Sequence, residues 1–293
     1  MTAATASLIA EGEVEIGLHL GRHEYEVTPE LVEKYAQAVG DDNEWYRSGS
    51  PFGGPVAPAL IMHSEVYNFP GWYLRNIVGN LHAKQEWELF NPILVGERIT
   101  TASNVIDRYL KRGRDFVVNE VTVLHEDGRL AARSRTHQSF LLDRPDGIVV
   151  DKEREKKLRG IEREMPPVIE SLSGPVKSVD EEMCWKYSGP ARNYHNDREF
   201  AQKLGFPDIV VQGTMSTCFI SELMTRRFGE GWFKGGRMSL NLINVLWVNE
   251  QVQTCGEVNE LTLEGSRQRA HVTVWTQKPD GTKTIAGTAS ALA

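Results

Sequence analysis

Apolar residues in this chain follow two kinds of spacing, and the two kinds alternate in the same order twice. Helical spacing marks residues 29–39, 58–67, 180–187 and 213–227. In the last of these Met215, Phe219, Ile220 and Leu223 fall on one side, which predicts a single buried face. Thr28 and Ser178 stand just before the first and third segments, where a hydroxyl can accept from free helix N–H groups. Alternation with a period of two over 98–105 and 251–258 predicts half-buried strands. Residues 116–124 and 126–140 read as a hairpin around Asp127-Gly128, and Asp280-Gly281 turns a second one.

Laid side by side, the two halves repeat these blocks in order: helix, Gly- and Pro-containing loop, second helix, then strands. Gly40 aligns with Gly189, and Gly96-Glu97 with Asn249-Glu250, at nearly one offset. Residue identity between the halves is low, so order and spacing carry the duplication. Between them runs DKEREKKLRGIERE, flanked by prolines, which reads as a solvated linker with one exposed helix. The boundaries are a first domain over 1–145, a linker over 146–174 and a second domain over 175–293.

With 40% hydrophobic and 25% charged residues, the 293-residue chain has the composition of a globular protein. A net charge of −7 argues against a nucleic-acid partner. Its apolar runs are much shorter than the ~20 residues of a membrane span, and the N-terminus does not read as a secretion signal. Cys184, Cys218 and Cys255 are odd in number and widely spaced, which excludes a disulfide framework and leaves no metal motif. A cytoplasmic protein with reduced thiols is the expectation.

Chemistry points to the second half. Tyr187-Ser188-Gly189 leads to His195, then Asn196-Asp197-Arg198-Glu199-Phe200-Ala201, Gly205-Phe206 and Val210-Val211-Gln212-Gly213. This stretch resembles the MaoC-like (R)-specific enoyl-thioester hydratases and dehydratases. The first half, through AVGDDNEWY, PVAPALI and LHAKQEWELFNPILVGERI, resembles the partner domain of their double-hotdog members. The resemblance implies an α+β tandem (double) hotdog fold, two antiparallel sheets each wrapped around a central helix. It also implies reversible hydration of an enoyl thioester, carried by coenzyme A or an acyl carrier, without a further cofactor or metal.

By resemblance His195 is the general base and Gly213 the backbone N–H donor to the thioester oxygen, with Gln212 replacing a histidine before it. Asn193 and Arg192 would position the reactants, and Tyr194 would touch substrate. The family aspartate, however, falls on Pro190. His195 could act alone, Asp197 could serve instead of capping the next helix, or the site could bind a thioester without turning it over. A thioesterase is a further alternative. In the first half Asp41 keeps the acid, and Tyr46 stands where the histidine should be; both are candidate substrate contacts. Combining Asp41 with His195 conflicts with the pseudo-twofold, which puts the two loops at opposite ends. Lys111, Arg112 and Arg114 are candidate phosphate contacts. His63 and His82 read as packing residues. A fused pair already supplies the interface that single units make by dimerising, and a further homodimer is possible.

Overall fold

A computed structural model describes residues 14–74, 80–111, 114–141 and 167–293. The first half contributes β1 (His19–Glu26), α1 (Pro29–Val39), β2 (Leu81–Leu89), β3 (Arg98–Lys111), β4 (Arg114–His125) and β5 (Leu130–Leu141). The second contributes β6 (Glu170–Ser178), α2 (Glu181–Ser188), α3 (Arg198–Lys203), α4 (Gly213–Phe228) and the short α5 (Glu230–Phe233). Its remaining strands are β7 (Arg237–Leu242), β8 (Gln251–Glu264), β9 (Arg267–Gln277) and β10 (Lys283–Leu292).

All ten strands form one sheet in the order β1-β3-β4-β5-β2-β7-β10-β9-β8-β6. Read inward from either edge, each half lays down its strands first, third, fourth, fifth, second, so the duplication seen in the blocks is also a duplication of topology. The halves join where β2 pairs antiparallel with β7, from Lys84 opposite Asn241 to Glu88 opposite Arg237. Smaller features repeat as well. Gly96 and Asn249 both take left-handed backbone, with φ of 92° and 66°. Each is followed by a glutamate that accepts a loop N–H, Glu97 from Leu94 and Glu250 from Trp247.

Local signals explain most helix ends. Thr28 Oγ1 accepts from Leu31 N at 3.2 Å, Pro29 occupies the first turn, and left-handed Gly40 closes α1. Asp180, not Ser178, caps α2, its carboxylate accepting from Met183 N at 2.8 Å. Ser178 ends β6 instead. That strand also takes in residues 170–174, which had been placed in the linker: its edge groups pair with β8, as polar linker backbone could not. Residues 146–166 of the expected linker, and Arg112, lie outside the described residues.

The second helix of the first half did not form. Residues 59–64 make successive tight turns, and only Glu65–Asn68 closes a 3₁₀ turn. The physical reason lies in α4. Thirteen of its sixteen residues are buried, so one helix fills the core under both halves of the sheet. A single apolar cluster runs from Tyr35, Leu60 and Trp87 to Met215, Phe219 and Trp232. The turns bury Leu60, Ile61 and Met62 against that helix while spending their polar groups elsewhere: buried Glu65 accepts from Tyr25 and Thr101.

Candidate functional site

The site is built around the N-terminus of α4. An Asx turn starts it: His195 N donates to Asn193 Oδ1 at 2.8 Å, and Asn193 N donates to Asn196 Oδ1 at 2.9 Å. Asn193 Nδ2 is also tied to the carbonyls of Ser188 and Ala191. The turn is held to the strand leading into α4 by Val210 N, which donates to Tyr194 O at 3.1 Å. His195 Nδ1 then donates to Val210 O at 2.8 Å. A ring that donates from Nδ1 carries its free lone pair on Nε2. Burial pushes the imidazole down to about 4, the bond to Val210 opposing this, so the ring is neutral at pH 7. Tyr194 packs on it with ring centroids 3.9 Å apart and stacks on Phe206 behind.

Three residues after Val210, α4 begins at Gly213 without a side-chain cap. Among the described residues no acceptor meets the N–H of Gly213 or Thr214, leaving two donors and the positive end of the helix dipole. A Cβ on Gly213 would overlap Leu242 Cδ2, which would have to move aside, and would fall 3.9 Å from His82 Nδ1, so glycine keeps this corner open. Gln212 lies across the junction of the halves. Its Oε1 accepts from Ser188 Oγ at 2.8 Å and its Nε2 donates to Ser64 Oγ at 3.2 Å. Ser64 also meets Thr214 Oγ1 at 3.1 Å and His63 Nδ1 at 2.6 Å. The turns that replaced the expected helix therefore wrap the start of α4.

Not every candidate converges there. Arg192 points outward, 72% exposed, and pairs with Asp197 at 3.3 Å. Asp197 caps α3 by accepting from Phe200 N at 2.8 Å. Asn193 is spent on the turn itself, so its amide holds the loop and is not free to position reactants. Asp41 and Tyr46 lie in a different part of the core. Tyr46 Oη donates to Asp41 Oδ2 at 2.7 Å, and Asp41 Oδ1 accepts from Asn43 N. Desolvation raises the Asp41 carboxyl, opposed by the Tyr46 bond and by Lys177 and Arg226. Lys177 binds Glu222 at 2.7 Å and the carbonyl of Gly40 at 2.8 Å. Glu222 is nine residues along α4 from Gly213, about 13 Å at 1.5 Å per residue. The Asp41 cluster thus stands where the duplication puts the counterpart of the His195 turn, bonded to Lys177 and Tyr46 and sharing no hydrogen bond with His195 among the described residues.

Lys111 is exposed at the end of β3, and Arg114 donates to Ser139 Oγ at 2.7 Å. His82, expected at a strand start near the pocket but as a packing residue, is joined here by Tyr67, Ser64 and Thr214, which were not expected. A register shift in β2 between His82 and Lys84 turns His82 to the inner face, the face of buried Gln85 and Trp87. Neither that bulge nor the missing helix has a pattern in the sequence. Among the described residues no group of three or more His, Cys, Asp or Glu could hold a metal ion, and no helix is long and apolar enough to cross a membrane.

Residues 15–134 match the family model described as the FAS1-like dehydratase domain region. Along nearly its full length the chain is similar to a solved MaoC domain protein dehydratase from Chloroflexus aurantiacus. The TM-score is 0.73 at 12% identity, covering 99% of both chains. It is also similar to a Mycobacterium tuberculosis protein described as a double hotdog, with a TM-score of 0.64 at 12% identity over 96% of this chain and 97% of that one. The fold is the double hotdog. The chain is also similar to part of the peroxisomal multifunctional enzyme type 2 of Drosophila melanogaster, with a TM-score of 0.63 at 16% identity. There 93% of this chain matches 48% of the larger one. No curated protein matches the chain by sequence.

Proposed function

We propose that this double hotdog is a hydro-lyase that reversibly adds water across the double bond of an enoyl thioester carried by coenzyme A. One observation carries the reading: the bare Nε2 of His195 and the unpaired N–H of Gly213 belong to one corner of the fold, at a helix N-terminus. The dehydratase-region match of the first half supports the same class.

In the forward direction His195 Nε2 takes a proton from water as the water oxygen bonds to C3. The π pair moves toward C1 and places charge on the thioester oxygen. The Gly213 N–H and the helix dipole stabilise that oxyanion, an effect worth about 10²–10³ in rate. The imidazolium then returns its proton to C2, giving the 3-hydroxyacyl thioester with atoms balanced. Such general-base work contributes about 10²–10⁴. Coenzyme A is part of the substrate, and Lys111 and Arg114 serve as contacts for its phosphates. Both residues stand at the end of the sheet where Ser139 pairs with Leu81, next to His82.

The test is crotonyl-CoA, followed for loss of the conjugated double bond and, in parallel, for free thiol. Hydration removes conjugation without releasing thiol, and 3-hydroxybutyryl-CoA regains conjugation in the reverse assay. Thiol release would make the protein a thioesterase. Binding without either change would make it a thioester-binding protein, and both results overturn the proposal.

A further inference from the structure

With Pro190 where the resemblance expects a carboxylate, His195 lacks that partner for the substrate water, and a water gripped by a single acceptor is poorly oriented. The first half supplies a second acceptor. His82 enters from β2, and its Nδ1 is 3.9 Å from the position a Gly213 Cβ would occupy. Tyr67 Oη meets the same nitrogen at 3.2 Å, and Gln138 Nε2 donates to that hydroxyl at 3.0 Å. Because Tyr67 already accepts from Gln138, its own proton points to His82 Nδ1. The ring therefore presents a lone pair at Nδ1 and carries its proton on Nε2, which is buried without a hydrogen-bond partner among the described residues. His195 shows the opposite tautomer, with its lone pair on Nε2.

We propose, resting on the hydratase reading, that His82 is a second catalytic residue, accepting a hydrogen bond from the O–H that stays on the attacking water while His195 removes the other proton. Two acceptors on the two hydrogens leave the oxygen lone pair free to face C3, the task for which the resemblance expects a carboxylate. Burial is the main cause that pushes the His82 imidazole down to about 4, with His195 among the smaller ones; both rings are neutral, as a pair of acceptors must be. The Tyr67 bond at 3.2 Å is long for a hydroxyl donor and yields to a shorter bond from water. The catalytic pair is thus split between the halves, so neither hotdog unit holds a complete site.

Crotonyl-CoA hydration by the full chain tests this in wild type, His82→Ala, His82→Asn and His195→Ala. His82→Ala is expected to lower kcat by about 10²-fold with KM little changed. His82→Asn keeps an acceptor near the Nδ1 position and is expected to recover about tenfold of that loss. Thermal unfolding of each variant separates lost chemistry from lost fold, which would not be rescued by asparagine. If wild type hydrates, His195→Ala is inactive and His82→Ala stays within threefold of wild type, this proposal falls and the hydratase reading stands. If His82→Ala raises KM alone, or Asn is no better than Ala, the water-clamp role is overturned. Failure of wild type to hydrate overturns both.

Discussion

The depressed histidine of the site makes a prediction that an ordinary histidine would fail. A base must be unprotonated to act, and kcat/KM reports the titration of the free enzyme. An unperturbed imidazole at 6.5 is about 3% neutral at pH 5, whereas one at about 4 is about 90% neutral, a difference of about thirtyfold. Expected, therefore, is a kcat/KM for hydration that is nearly flat from pH 8 to pH 5. The assay follows conjugation loss at constant ionic strength. Crotonyl-pantetheine is the substrate, so that coenzyme A phosphates do not titrate in the window. The same burial costs stability. His63, His82 and His195 all have depressed folded values, about 3, 4 and 4, while the unfolded chain takes protons near 6.5. Stability is therefore fully present above about 6.5 and is lost as pH falls toward 4. The loss between pH 7 and 5 is about 2 kcal/mol for each ring. The raised Asp41 and Glu222 carboxyls act in the opposite direction and offset part of this loss. Each rate point is accordingly checked by full recovery of activity on return to pH 7. An acid limb centred at or above pH 6, in protein that recovers fully, would refute the buried-base reasoning.

Three further outcomes follow from named contacts. His195→Ala should lower kcat by about 10²–10⁴ with little change in KM, read by steady-state hydration. Lys177→Met leaves buried Glu222 to Arg226, which reaches it at 3.0 Å, and should cost about 1–3 kcal/mol in urea unfolding, while kcat per folded molecule stays at the wild-type value. Asp41→Ala leaves the Tyr46 hydroxyl unpaired and should cost about 1–3 kcal/mol, again without effect on hydration, which a unified Asp41–His195 site would not permit.

Capping and turn chemistry made much of the local structure legible. Thr28, Gly40, Asp197, Gly128 and Gly281 end elements by satisfying backbone groups or by taking positive φ, and such acts depend on a few neighbouring residues. Ser178 and Asp180, two positions apart, could each cap α2, and the strand claimed Ser178. The His195 turn was legible for the same local reason, since Asn193 and Asn196 shape it within a few positions.

What the sequence determined alone was the order of most elements and their duplication, because these rest on periodicity, caps and short spacings; the pairing of His195 with Gly213 was implied by the family resemblance. Tertiary structure decided which half provides the central helix, which face of β2 His82 occupies, and that the Asp41 loop is tied through Lys177 to Glu222, nine residues along α4 from Gly213. Those outcomes depend on competition for one core between segments more than a hundred residues apart. A helix that fills the volume under both halves leaves no room for a second, and the displaced segment then carries Ser64 and Tyr67 to the place where the chemistry is proposed.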